Sequence, residues 1–187
     1  MCTSSSRHPD RSVLCLTIGL TLATLSLGMV YCLRAQELRL DPGAIVNLLS
    51  KDAVPAIRDS TPLLVPAAAV RLVQDSDPVL GVVIGEESRA YPIALLSWHE
   101  IVNDVVGGVP VAATWSPLCY TGIVYARERN GHRLTFGVSG KLMANGLIMY
   151  DDQTDSQWSQ VIGQAVTGPL QGTILPMLPA THTTWKT

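Results

Sequence analysis

Cysteine is almost absent from most of this chain. Of four cysteines, Cys2, Cys15 and Cys32 lie in or before an apolar segment near the N-terminus, and only Cys119 follows it. The region beyond that segment therefore cannot close an internal disulfide, and its core must hold it together. Charge is scarce too: 15% of residues are charged, against about 25% in an ordinary soluble domain. The net charge is −2 and no Lys/Arg run occurs, which excludes an electrostatic footprint for nucleic acid. Repeats and low-complexity tracts are missing as well. With 187 residues, the chain has room for one domain plus an appendage.

The appendage is Val13 to Leu33, 21 residues without a charge. About 20 apolar residues span a bilayer as a helix. Arg7 and Arg11 precede the run and place the N-terminus on the cytoplasmic side. The expected order is a cytoplasmic stretch (1–12), a transmembrane anchor (13–33) and an extracytoplasmic domain (36–187). The competing reading is a cleaved signal peptide, whose apolar core typically runs about 7–15 residues. This run is longer, and its exit, Leu33-Arg34-Ala35, is a poor cleavage site. The expected localisation is thus the cytoplasmic membrane, single-pass, with the membrane as a partner and the main domain outside.

Along the domain, Asp41 and Pro42 predict a short helix within residues 37–50 with Ile45, Val46, Leu48 and Leu49 on its apolar face. Three prolines make Lys51 to Pro66 an extended crossover. Val70 to Val73 reads as a short strand. Val79 to Ile84 and Ser88 to Ile93 read as two strands about the turn Gly85-Glu86-Glu87. Ala94 to Asp104 reads as a second helix, ended by Gly107-Gly108. Strands are expected at Val109–Trp115, Gly122–Glu128, Arg133–Val138 and Leu147–Asp151, with Asn130-Gly131 as a hairpin turn. Ser139 to Asn145 reads as a loop. Short strands follow at Gln164–Thr167 and Gly172–Leu175, and His182 sits in a loose tail. The fold class is α+β: mainly antiparallel sheet or partial barrel with two short helices and an N-terminal transmembrane helix.

Several known motifs are approached but not completed. His99-Glu100-Ile101-Val102-Asn103 has Asn where a zinc protease needs its second histidine on the same helix face. Gly137-Val138-Ser139-Gly140-Lys141 ends in Lys rather than the glycine of a nucleophile elbow; Lys141 could still offer a cation to an anionic ligand. Tyr150 to Asp155 is acidic but lacks the spacing and glycine of a calcium loop. It reads as a capped turn with Trp158 folding back onto the core. On helical spacing, His99 and Asn103 share a face, as do Glu100 and Asp104. Cys119 follows a buried strand in a turn closed by Thr121-Gly122. Such a thiol is either a nucleophile or soft-metal ligand as its thiolate, or an inert small hydrophobe.

The motifs G-E-E-S-R-A-Y-P-I, W-H-E-I-V-N-D-V-V-G-G-V-P-V, S-P-L-C-Y-T-G-I-V-Y, F-G-V-S-G-K-L and M-Y-D-D-Q-T-D-S-Q-W-S-Q follow one another from Gly85 to Gln160. In this order the chain resembles the uncharacterised prokaryotic family called domain of unknown function 3179. The likeness thins out toward Ala56 and Thr183-Thr184-Trp185. It implies no reaction. Relatives usually carry Cys-Pro-Leu-Cys where this chain has Ser116-Pro117-Leu118-Cys119, so one thiol of that motif is missing. They also run on past Thr-Thr-Trp, which implies a domain incomplete at its C-terminal side.

Together these residues set out three expectations for one site. His99, Glu100 and Cys119 form its centre, with Asn103, Ser116, Thr121, Ser139 and Lys141 as ligand or supporting groups. In the first, His99 and Cys119 hold a transition metal, Cu or Zn. In the second, Cys119 is a nucleophile, His99 its base, and Glu100 orients the imidazole. In the third, the domain is structural or binds a partner without catalysis.

Overall fold

The computed structural model describes residues 40–186 except 61, 62, 65, 67–71 and 130. A 3₁₀ turn at Pro42–Ala44 leads into β1 (Ile45–Asn47). Next come β2 (Pro78–Ile84), β3 (Glu87–Pro92), helix α1 (Ile93–His99), β4 (Ile101–Val106), β5 (Val109–Ser116) and β6 (Thr121–Ala126). After them lie β7 (Glu128–Arg129), β8 (His132–Arg133), β9 (Phe136–Met143), β10 (Gly146–Asp151) and β11 (Gln157–Ser159). The described chain finishes with β12 (Ala165–Thr167), β13 (Met177–Leu178) and β14 (Ala180–Thr184). Three sheets have the orders β13-β6-β5-β4, β1-β9-β10-β11-β12 and β14-β2-β3, and β7-β8 is a separate ribbon. Every strand pair is antiparallel.

The β13-β6-β5-β4 sheet is the middle layer, because its strands alternate between two cores. Val102, Val106, Val111, Ala113, Trp115 and Val124 pack with Leu80, Val82, Tyr91 and the α1 residues Ile93 and Leu96. The intervening Ile101, Ala112 and Tyr125 pack with Phe136, Val138, Leu147, Met149 and Trp158. Successive side chains on a strand point to opposite faces, so a strand covered on both sides reads as a continuous apolar run. Val109–Ser116 is such a run, buried from Pro110 to Ser116.

Buried polar side chains bolt these layers together. Asn103 donates from Nδ2 to Ile57 O (3.0 Å) and Phe136 O (2.9 Å), and its Oδ1 accepts from Phe136 N (2.8 Å). Asp104, 3% exposed, accepts from Ser60 Oγ (2.5 Å), Tyr91 Oη (2.9 Å), Arg89 Nε (3.3 Å) and Val105 N (2.7 Å). Arg127 is buried against the carbonyls of Val111, Leu134 and Asp104.

Several expectations need correction. The helix expected in 37–50 is, over the described part, a 3₁₀ turn and a strand. Asp41 does cap the turn, accepting from Gly43 N at 2.8 Å. Ile45 and Val46 are β-branched and pair with Met143 and Leu142, which wins over a helix that Gly43 would weaken. The second helix ends at His99, not Asp104. Glu100 takes φ 57°, and Ile101–Val106 runs on as β4. Gly107 and Gly108, with φ 54° and 76°, form the two-residue turn of the β4–β5 hairpin rather than a helix cap. Asn103 and Asp104 thus do not share helix faces with His99 and Glu100. Residues 139–143 belong to β9, whose turn to β10 is Ala144-Asn145 with φ 48° and 62°. At Gly172–Leu175 there is only an isolated bridge, Gln164 to Ile174. His182 is not in a loose tail but in β14, paired with β2. Within Val70 to Val73, residues 70 and 71 lie outside the described residues, and 72–73 form no strand. The Val13–Leu33 run also lies outside them. Among the described residues no helix is long and apolar enough to cross a membrane, and α1 is the one α-helix.

Candidate functional site

The site begins where α1 stops. The Glu100 N–H still closes the last helical turn on Leu96 O (2.7 Å), while the positive φ of Glu100 turns the chain into β4. Its carbonyl then accepts the Trp115 N–H at 2.7 Å. That bond fixes His99 and Glu100 beside the end of β5. Ser116 pairs with Thr121, so Pro117–Tyr120 forms the loop of the β5–β6 hairpin. Register alone therefore brings His99, Glu100, Ser116, Cys119 and Thr121 to one end of the middle sheet, though they come from two separate motifs.

Each group has a defined setting there. His99 Nδ1 lies 2.7 Å from Pro55 O. A carbonyl only accepts, so Nδ1 carries a proton, and in the neutral ring the lone pair is on Nε2. Glu100 is half-buried, and burial pushes its carboxyl above the ordinary glutamate range. The structure gives its carboxylate no hydrogen bond or ion pair among the described residues. Cys119 is a free, half-buried thiol whose one hydrogen-bond contact among the described residues is from Sγ to Ser116 O, at 3.9 Å. Thr121 Oγ1 donates to Cys119 O (3.0 Å) and holds the turn in which Tyr120 has φ 52°.

The other expected residues serve elsewhere. Ser116 Oγ is buried and accepts from Leu147 N at 3.3 Å, joining the middle sheet to β10. Asn103 is buried and spends both Nδ2 protons and one Oδ1 lone pair on backbone groups, which makes it a strut between layers. Ser139 donates to Ile148 O and accepts from Lys141 N (3.1 Å), pinning β9 where its register with β10 shifts. Lys141 stands in β9 opposite Asn47 and Ile148. Among the described residues no group of three or more His, Cys, Asp or Glu is gathered for a metal ion.

Sequence reasoning missed three neighbours of this end. His182 reaches across from β14, with Nε2 3.1 Å from Gly122 O, and its ring lies 6.0 Å from that of Trp115. A Cβ on Gly122 would fall 2.7 Å from His182 Cε1, so only glycine admits the imidazole there. Tyr120 packs edge-on against Trp115 at 4.7 Å. Gln160 is fully buried and donates to Thr114 Oγ1 (3.0 Å) and Thr121 O (3.2 Å), directly behind the turn. The alternation Ala-Thr-His-Thr-Thr carries a strand signal for His182, but its pairing with β2 spans about a hundred residues of chain and leaves no local mark.

Fold and site together define, over the described residues, an antiparallel β domain with one α-helix and a thiol-bearing sheet end. The profile of the family described as "Protein of unknown function (DUF3179)" matches residues 51–187, and the chain belongs to that family. No curated protein and no solved structure matches the chain.

Proposed function

We propose that this protein is a membrane-anchored extracytoplasmic domain with a thiol-dependent site at the α1–β4/β5–β6 sheet end. Cys119 is the nucleophile, His99 the base through its free Nε2, and Glu100 the neighbouring acid. The carrying observation is the Trp115 N–H to Glu100 carbonyl bond at 2.7 Å, which ties the His99-Glu100 pair to the strand that ends at the Cys119 turn. A half-buried carboxylate without a partner supports the reading, since such groups recur where proton transfer is done. The anchor is Val13–Leu33, with Arg7 and Arg11 on the cytoplasmic side.

The metal alternative uses His99 Nε2 and Cys119 Sγ as donors for Cu or Zn. A catalytic zinc site takes three protein ligands, and the thiol reading needs only the pair. Peptide-resolved alkylation of the full chain by iodoacetamide separates them. His99→Ala should slow labelling of Cys119 at least about tenfold at neutral pH, in line with general-base contributions. An unchanged rate would remove His99 from the site. Stoichiometric Cu or Zn in the purified chain, lost in Cys119→Ala, would put metal binding in place of thiol chemistry. A reporter fused after Thr187 should be active only in an exported form; activity in the cytoplasm would sink the topology.

A further inference from the structure

The end of the fold that holds Cys119 is closed by three loops. They are Pro117–Tyr120 between β5 and β6, Ala144-Asn145 between β9 and β10, and Gln160–Gln164 between β11 and β12. They adjoin one another. Leu147 N bonds Ser116 Oγ, and Val161 packs so closely on Gly146 that a Cβ there would meet its Cγ2 at 2.8 Å. None of the three contains Asp, Glu, Lys or Arg. Among their exposed residues, Leu118 (63%), Tyr120 (73%) and Val161 (43%) are large and apolar or aromatic, and Asn145 is an uncharged amide. Trp98, 79% exposed, stands on α1 two residues before Glu100, whose carbonyl is bonded to β5 at this same end. Charged groups border these loops at Glu100, at Lys141 in β9, and at Asp41 in the turn that leads into β1.

The chain also enters the domain here. Ile45 opens β1 opposite Met143, beside the Ala144-Asn145 turn. Leu33 ends the apolar run, and Leu40 is seven residues on. Seven residues reach at most about 25 Å when fully extended. If Val13–Leu33 crosses the bilayer, this end cannot stand far from the lipid surface. Tryptophan and tyrosine with aliphatic neighbours are the side chains that settle at a lipid–water interface.

We propose that this end, whose three loops carry no charge, docks on the outer surface of the bilayer through Trp98, Leu118, Tyr120 and Val161. The proposal rests on the anchor reading above and adds a second, peripheral contact to it. Cys119 lies between Leu118 and Tyr120, so docking turns the thiol toward the interface, and a substrate of the site would be a molecule met at the membrane. The loops carry no basic residue, so docking draws on apolar and aromatic contact and not on anionic headgroups.

The test uses the full chain reconstituted in phosphatidylcholine vesicles with brominated acyl chains, which quench tryptophan fluorescence at the interface. Native protein should be quenched, equally at low and high salt. Trp98→Phe should lose most of the quenching, whereas Trp185→Phe should keep it. Leu118→Ser with Tyr120→Ser should reduce it while the protein stays in the membrane pellet after alkaline carbonate. Carbonate-resistant protein whose Trp98 is not quenched overturns docking and leaves the anchor standing. The same result with concentration-dependent crosslinking between copies would assign the patch to a second chain. Protein released by carbonate but still quenched keeps docking and removes the anchor, and release with no quenching removes both.

Discussion

The two ends of the middle sheet are built on opposite terms. At the Gly107-Gly108 end, charges are many and almost all are paired. Asp104 takes four hydrogen bonds, Glu87 Oε2 accepts from Gly107 N (2.6 Å), and Asp151 accepts from Thr154 N (2.6 Å) and Trp158 Nε1 (2.9 Å). Close by, Tyr150 Oη sits between Arg58 (2.6 Å) and Asp52 (2.6 Å), with the Lys51 ammonium 3.6 Å above its ring. At the Ser116–Thr121 end, charges are few and polar groups go unmatched. Among the described residues, Glu100 has no hydrogen-bond or ion-pair partner, Cys119 has one long contact, and Trp115 Nε1 and Gln160 Oε1 are buried without a protein partner. Arg129 Nε is the one such atom at the charged end. Buried polar atoms left unpaired by protein or water cost about 1–3 kcal/mol each. One end is held by paired charges; at the other, polar side chains have fewer protein partners among the described residues.

The largest effect should come from the charged end. Asp104→Ala leaves Tyr91 and Ser60 hydroxyls unmatched in the core and strips Arg89 of one carboxylate. Removing one partner of such a buried pair costs about 3–5 kcal/mol. Urea denaturation should show a lower midpoint by that amount, and a loss under about 1 kcal/mol would refute the division between ends. Asn103→Ala comes next. It abandons the N–H and C=O of Phe136, for about 1–3 kcal/mol per group not rescued by water, while the Ile57 carbonyl keeps the backbone N–H of residue 103 at 2.8 Å. Its effect should appear in stability and not in Cys119 labelling, since Asn103 faces neither His99 nor Cys119.

Much of the fold was legible from the pattern of residues. Two hairpins, Val79–Ile93 and Val109–Glu128, stand near their expected places because their alternation and turn residues are local signals. The N-terminal half of the site was legible for the same reason, since Trp98-His99-Glu100 and the Cys119 turn each carry a dense motif. The misreading of residues 100–106 came from a competition that periodicity does not decide. Ile101, Val102, Val105 and Val106 fit a helix face by spacing, but they are all β-branched, and the strand they form is paired on both sides of its register by β5 and Ile57. Two glycines with positive φ were a hairpin signal read as a helix stop. His182 and Gln160 were missed because what places them is contact across the sheets, which spacing along the chain does not carry.

Cys119→Ser sharpens the comparison from the other side. The thiol is half-buried in a loop and its one contact is 3.9 Å long, so its replacement should change stability by no more than about 0.5 kcal/mol. Labelling at residue 119 should vanish while the melting temperature holds. A large drop in stability would instead mark Cys119 as a core residue and remove the reason for placing chemistry there.

The smallest effect is also the most diagnostic. Burial raises the Glu100 carboxyl above its ordinary range, and no hydrogen bond or cation opposes that rise. A carboxyl with a raised folded-state value binds its proton more tightly in the folded chain than in the unfolded one. Stability therefore carries its full share below the unfolded value, near 4.3 for glutamate, where both states are protonated. It is lost as pH climbs through the folded value, where the native chain must bury a charge. Glu100→Gln keeps the size and removes that charge. The variant should be more stable than the native chain at pH 7, and the two should converge as pH falls toward 4. Denaturation midpoints across pH 4–8 measure it. If the variant is less stable at pH 7, Glu100 has a favourable partner in the folded chain. The Ser116–Thr121 end then holds together much as the charged end does.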